Sequence, residues 1–346
     1  MRQRHILSGI FALAVGLLAG PNCAEARVAK LPLNIPGWTG VVSSNEQSRA
    51  FERCAATKTI AEGTSISYSV DHNYRWTISL SNPTWNFMPG VNYAVILKIG
   101  DSELVRATAA AGDKTTLDLK SSDPIAFFAR FRIARTLHVG IGGLHLEFTL
   151  DGGEEIFSAL TQCALRATHF AKSEKAKSAI LDSHDAANDA RQKEAAKLVA
   201  NIVSYSHMPD TKIQPTGEEF AAIKADATWK TGLVTAHLVI FENAAPMTGI
   251  ADALIARSFR TCQGGFFFLS LPDKINETQI ERVFASCQTT ETTISNHYLV
   301  IPRPKSGYYI LAVTSTGSSF ISIAHKAADE YEARLRSIIT TAIHNP

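Results

Sequence analysis

The chain has 346 residues, 45% of them hydrophobic, and a formal net charge of +2. So small a charge excess gives no electrostatic footing for nucleic acid or for an anionic membrane surface. Ordinary hydrophobic content over this length predicts a soluble globular protein of two domains.

The first residues read as an address. Arg2, Arg4 and His5 are followed by an apolar run over 6–19 (ILSGIFALAVGLLA), then Gly20-Pro21 and the small-residue site Ala24-Glu25-Ala26. This order predicts a secretory signal peptide over residues 1–26. The run falls short of the roughly 20 residues that a membrane-spanning helix needs. The expected mature chain begins at Arg27, is periplasmic or secreted, and has no stable membrane insertion. Cys23 leaves with the signal, and Pro21-Asn22 before it are not the small residues of a lipoprotein site.

Residues 31–168 predict a strand-rich domain. Residues 64–70 (TSISYSV) and 75–80 (RWTISL) alternate polar and apolar at period two, as half-buried strands do, with the turn-prone Asp71-His72-Asn73 between them. A third strand is expected over 93–99, and a hairpin from 103–109 and 115–119 around Gly112-Asp113. Asp123-Pro124 has the cap and first-turn chemistry of a helix start, and Phe127, Phe128 and Phe131 give that helix an apolar stripe. Segments 137–141 and 144–150 pair across Gly142-Gly143. A helix over 154–168 then closes the domain, with Ile156, Leu160, Cys163, Ala164 and Ala167 on one face.

Residues 169–207 are rich in Ala, Lys, Asp and Glu, without Gly or Pro over 170–205, and predict an exposed, charged, Ala-rich helical connector. Residues 208–346 predict an α+β domain. Its expected elements are a helix over 218–229, a strand over 234–241 (VTAHLVIF), a helix over 247–259, strands over 266–271 and 283–288, and a hairpin from 298–301 and 308–314. Phe320, Ile323, Ala324, Ala327, Tyr331, Leu335, Ile338 and Ala342 recur at helical spacing, behind Ser318 or Ser319 as cap, and predict a long amphipathic final helix. Strands and helices without a regular βαβ rhythm make the whole chain α+β.

Four cysteines remain in the mature chain: Cys54, Cys163, Cys262 and Cys287. An even number in an exported protein reads as two disulfides. Of three pairings, Cys54–Cys163 with Cys262–Cys287 keeps each bridge within one domain. Chain entropy then assigns about 4–5 kcal/mol to the longer loop and about 3 kcal/mol to the shorter.

No residue pattern supports a catalytic, cofactor-binding or metal-binding assignment. A G-x-S-x-G elbow is absent, and Ser315-Thr316-Gly317-Ser318-Ser319 reads as a loop and helix cap. No phosphate-cradling loop occurs, and Gly140-Ile141-Gly142-Gly143 reads as a hairpin turn. Asp182, His184, Asp185 and Asp189 read as the solvated face of the connector. The eleven histidines are scattered and read as surface or satisfied imidazoles, among them His138, His145, His237, His325 and His344. Cys262-Gln263-Gly264-Gly265-Phe266 would suit a thiol beside backbone amides, but a disulfide with Cys287 takes precedence. Trp38, Trp76 and Trp85 read as core, and Asn276-Glu277-Thr278 is a glycosylation sequon.

Cys54, the strand Arg75-Trp76-Thr77-Ile78, the strand over 93–99, and Phe148-Thr149-Leu150-Asp151-Gly152 leading to Ala159-Leu160 and Cys163 form one pattern. In this pattern the N-terminal region resembles an uncharacterised secreted module of Gram-negative bacteria. The resemblance implies a periplasmic location and carries no catalytic residues. The function expected is therefore binding or interaction, with an envelope protein, peptide or glycan as partner. The alternative is an exported hydrolase whose Ser or carboxylate meets His only in space.

Overall fold

The computed structural model describes residues 28–45, 48, 50–60, 63–101, 104–168, 189–206, 211–214, 219–220, 223–243, 245–318 and 323–344. The predicted signal peptide, residues 169–188 of the connector, and the cap at Ser319 with Phe320 lie outside these residues.

The first half forms a ten-stranded antiparallel sheet. Its strands are β1 (Val28–Ile35), β2 (Trp38–Asn45), β3 (Phe51–Thr59), β4 (Ser65–Asp71), β5 (Trp76–Ser81), β6 (Asn92–Ile99), β7 (Val105–Ala111), β8 (Thr116–Lys120), β9 (Thr136–Ile141) and β10 (Leu144–Thr149), in the order β1-β2-β3-β4-β5-β8-β7-β6-β9-β10. The period-two pattern decides which face is wet. Ile66, Tyr68, Val70, Trp76, Ile78 and Leu80 are buried. On the other face the small polar groups pair across strands, as Thr57 Oγ1 with Ser67 Oγ at 2.7 Å and Ser79 Oγ donating to Asp118 Oδ1 at 2.6 Å.

Two helices cover the apolar face. In α1 (Pro124–Ile133) the Asp123 carboxylate accepts from the Ala126 amide, Pro124 occupies the first turn, and Phe127, Phe128 and Phe131 are buried. Helix α2 (Gly153–Ala167) starts hard against the end of α1. A Cβ at Gly153 would lie 2.5 Å from the Arg132 carbonyl oxygen, so only glycine admits this approach. The Cys54–Cys163 bridge, with Cα atoms 6.3 Å apart, staples α2 to β3.

The second half centres on a seven-stranded antiparallel sheet, ordered β11-β14-β15-β19-β18-β17-β16. Its strands are β11 (Lys212–Gln214), β14 (Ala227–Thr231), β15 (Val234–Phe241), β16 (Gly265–Ile275), β17 (Thr278–Gln288), β18 (Thr293–Pro302) and β19 (Tyr308–Gly317). β12 (Glu219–Phe220) and β13 (Ile223–Lys224) form a separate ribbon. Helix α4 (Met247–Thr261) lies on one face, and α3 (Asp189–Ser206) with α5 (Ile323–His344) on the other. Burial on both faces explains the continuous apolar runs of β15, β18 and β19. In β18, Tyr298 and Val300 enter one core and Leu299 and Ile301 the other.

Two sequence expectations are corrected. The helix expected over 218–229 is instead β12, β13 and β14. Trp229 is wholly buried in β14 and donates its indole N–H to the Tyr331 hydroxyl, so tertiary pairing overrides a helix-forming composition. The described part of the connector is helical, as α3, but not exposed throughout. Ala195, Leu198, Val199 and Ile202 are buried, Arg191 pairs with Asp226 at 2.7 Å, and the Arg303 and Tyr309 side chains donate to Glu194.

The halves meet along β16, the edge strand of the second sheet. One continuous core runs from the first sheet through α1 and α2 to Phe266, Phe267, Phe268 and Leu269. Trp76 stacks on Phe157 at 4.8 Å between centroids, packs against Phe267 at 5.4 Å, and donates its indole N–H to the Phe268 carbonyl at 3.1 Å.

Trp76→Phe keeps a ring at this joint but leaves a buried carbonyl without its donor. It is expected to cost about 1–3 kcal/mol, and Trp76→Ala about 3–5 kcal/mol, read from denaturant unfolding of the oxidised protein.

Candidate functional site

The joint does not cover all of β16. Beyond Phe268, toward the start of the strand, a groove of about 760 Å3 opens between β16 and the solvent-side flank of α2. One wall is Glu154, Glu155, Ser158, Ala159 and Gln162. The other is Gln263, Gly264, Gly265 and Phe266, with Gln288, Thr289 and Thr290 beside it and Arg132 at the base.

Each wall follows from local structure. Ser158 and Gln162 stand one turn apart on α2, and Glu155 and Ser158 three residues apart, so all three share a flank. The Cys262–Cys287 bridge, with Cα atoms 5.4 Å apart, fixes the end of α4 to β17, and both cysteines immediately precede groove residues. At Gly264 a Cβ would fall 1.9 Å from the Gln288 carbonyl oxygen, so the strand can start here only with glycine.

Arg132 gives the site its charge. It is 4% exposed, comes from the end of α1, and crosses to the second sheet. Its Nη1 donates to Ser286 Oγ at 2.9 Å, and Nη2 reaches Gln288 Oε1 and lies 3.5 Å from Glu154 Oε1. Gln288 Nε2 donates to Glu154 Oε2 at 3.2 Å, and the guanidinium sits 5.6 Å from the Phe267 ring centroid. Burial lowers the Arg132 pKa to about 10, opposed by the Glu154 carboxylate, so the group stays charged at neutral pH. With Glu154 engaged by Arg132, Glu155 leaves the groove with one net negative charge.

At the other end of the joint lies a second cavity of about 600 Å3, lined by Tyr74, Arg75, Asp252, Ser270, Pro272 and Glu281 among others. Ser270 donates to Glu281 at 2.6 Å, and burial raises the Glu281 pKa. Tyr74 meets Thr168 at 2.8 Å, and burial pushes its hydroxyl up to about 12.

Among the described residues, Ser315 and His325 come together. Ser315 Oγ on β19 and His325 Nδ1 on α5 are 2.6 Å apart, but the residues are only 2% and 4% exposed. Beside them His297 Nε2 lies 3.3 Å from Asp329 Oδ1. Burial, ahead of the Arg282 charge, depresses His297 to about 3. Burial, ahead of the Asp123 and Glu332 carboxylates, raises Asp329 to about 7. His237 is buried against Thr228 at 3.1 Å, and His138 and His145 border an outer-face groove of about 400 Å3 over β6, β9 and β10.

The remaining sequence candidates fall as follows. The cysteines form Cys54–Cys163 and Cys262–Cys287. Gly142 and Gly143, at φ +51° and +92°, make the β9–β10 turn. Trp76 is core, Trp38 packs in a tilted contact on Tyr68 at 5.3 Å between centroids, and Trp85 packs on Phe87. Asn276 donates its amide to Thr340, which occupies the sequon nitrogen. Asp182, His184 and Asp185 lie outside the described residues. Among those described, no cluster of three or more His, Cys, Asp or Glu side chains could hold a metal, and no helix is long and apolar enough to cross a membrane.

Sequence reasoning missed Arg132, Glu154 and Gln288. The available signals were an arginine directly after Phe131 on an otherwise apolar stripe, and paired glycines opening a strand.

No protein-family model and no curated protein matches the chain. A solved di-domain ARO/CYC, StfQ from the steffimycin biosynthetic pathway, is similar at 7% identity over 92% of this chain and 85% of that one. Its TM-score is 0.12, and a likeness at that level carries no argument.

The polar cluster under α5 generates a pH dependence. His297 stays neutral when folded down to about 3, whereas in the unfolded chain it takes a proton near its ordinary value of 6.5. The unfolded state therefore carries an extra proton at His297, while the folded state carries one at Asp329, raised from 3.8 to about 7, so the two contributions to stability oppose each other between about pH 4 and 6.5. His297→Leu is expected to leave the Asp329 contribution uncompensated, so that in urea unfolding the variant gains stability relative to the native protein as pH falls from 7 to 4.

Proposed function

We propose that the chain is an exported, periplasmic binding protein whose ligand seats in the Arg132 groove. The observation that carries this reading is the groove itself. It is an open channel walled by both halves of the molecule, with a buried guanidinium held by three partners at its base. Concave sites with a few convergent polar groups are the usual seats of ligands. Export is supported by the signal-like residues 1–26, by the likeness of the first half to a secreted module, and by two disulfides, which suit an oxidising compartment. The partner is an envelope protein, a peptide or a glycan.

The hydrolase alternative has one observation in its favour, the Ser315–His325 contact. The burial of both groups opposes it, because a nucleophile must reach its substrate.

Gln162 is exposed on the groove wall, so Gln162→Trp fills the channel without touching the core. Oxidised native and Gln162→Trp proteins are to be used for affinity capture from envelope extracts, with mass spectrometry, after equal thermal unfolding of the two has been checked. The expected result is one dominant species held by the native protein and reduced about tenfold or more by the variant. Equal capture by both proteins, or turnover of an ester or peptide panel that is lost in Ser315→Ala, would overturn the reading.

A further inference from the structure

We propose that the cavity at the Ser270 end of the joint is a second binding site, separate from the Arg132 groove, for a small zwitterion of the free amino-acid class. The ligand's ammonium seats on the Glu281 carboxylate, and its carboxylate meets the Arg75 guanidinium.

Both halves of the chain build this pocket. On β17, Glu281 and Val283 stand two residues apart and so share a face. Val283 is packed in the core, whereas Glu281 borders the cavity of about 600 Å3. Pro272 on β16 is the cross-strand partner of Glu281, and Ser270, diagonally across, donates to Glu281 Oε1 at 2.6 Å. Thr248 and Asp252, one turn apart on α4, form a side wall. The turn between β4 and β5 supplies another. Asp71 Oδ1 accepts from the Asn73 and Arg75 amides at 2.8 and 2.9 Å, which shapes the turn. Tyr74 anchors it, with its ring edge-on to Phe268 at 5.0 Å between centroids and its hydroxyl on Thr168.

The charges select the ligand. Glu281 is 7% exposed, and among the described residues only the Ser270 hydroxyl donates to its carboxylate. A buried carboxylate with so little pairing is costly unless a cation joins it. The Arg75 charge favours the ionised Glu281 and the Asp252 charge opposes it, so both act at this pocket as well as lining it. Arg75 is exposed, and no described carboxylate lies within ion-pair distance of its guanidinium. Two carboxylates beside one guanidinium exclude a simple anion. The guanidinium in turn disfavours a ligand that carries positive charge alone. A molecule with an ammonium and a carboxylate a few atoms apart satisfies both signs, and an arginine holds a carboxylate through paired N–H donors. Asn73, Thr168, Thr248 and Gln279 make the remaining walls polar, which suits a small hydrophilic ligand.

The test uses the oxidised full chain and isothermal titration calorimetry with the common α-amino acids, one at a time. Each that binds is repeated as its N-acetyl derivative, which has lost the ammonium, and as its carboxamide, which has lost the carboxylate. At least one amino acid is expected to bind, and each derivative to bind about tenfold or more weakly, since each lacks one charge-assisted contact. Glu281→Gln keeps a hydrogen-bond acceptor for Ser270 and should weaken the free amino acid by a similar factor. Arg75→Gln, at an exposed position outside the core, should weaken the free amino acid and leave its carboxamide unchanged. Equal thermal unfolding of each variant and the native protein is checked first. Gln162→Trp, in the groove, should leave binding intact. The proposal is overturned if no amino acid binds, if binding survives Arg75→Gln at full strength, or if the diamine putrescine binds as tightly as any amino acid. Binding that Gln162→Trp abolishes places the ligand in the groove and overturns the second site.

Discussion

The contact on which the rest of this structure depends is the closure of the β16 edge by the first half of the chain. An indole from β5 reaches across 192 positions of sequence to a main-chain carbonyl of β16. The rings of Phe128, Phe157 and Phe267 surround it within 6.3 Å between centroids. Such aromatic pairs add about 0.5–1.5 kcal/mol each beyond the area they bury. The hydrogen bond matters chiefly through what its loss would leave, a carbonyl buried without a donor. A sheet edge that would otherwise attract foreign strands thus becomes an internal seam.

Both cavities follow from that seam being short. It covers Phe268, and a cavity lies on either side, the Arg132 groove beside Gly264 and Gly265 and the carboxylate pocket at Ser270. Long-range charge pairs hold the surrounding elements in register. Arg282 lies within 3.2 Å of both Glu332 oxygens on α5, 3.6 Å from Asp273 on β16, and 4.0 Å from Asp123, the cap of α1. Arg132 makes the matching connection from the other end of α1. A buried charge of this kind adds little net stability while paired, but removing its partner strands it, so such pairs discriminate against misplacement of α1.

Much of this architecture is legible in the chain alone, and the parts that are not share a cause. The alternation of β4 and β5, the capped start of α1, the β9–β10 hairpin and the periodicity of α5 are local patterns, and all appear where the sequence puts them. The cysteine pairing is legible because only one arrangement keeps both bridges local to a domain. β1 alternates, at Leu31, Leu33 and Ile35, whereas β2 and β3 give no strand signal because their residues carry little alternation. The segment containing Trp229 reads as helix because its composition favours one, while its burial is decided by α5, about 100 positions away. The groove is invisible for the same reason. Arg132, Glu154 and Gln288 become a site only when the second sheet docks on α2, and no spacing rule links residue 132 to residue 288.

If the halves share one core along β16, they should not open separately. Native-state hydrogen exchange with mass spectrometry, across rising denaturant below the unfolding transition, measures this directly. The amides of α2, β4 and β5 are expected to reach the same opening free energy as those of β16 and β17, as one cooperative unit. Exchange of α2 and β5 through a much cheaper opening, with β16 to β19 still fully protected, would contradict a shared core.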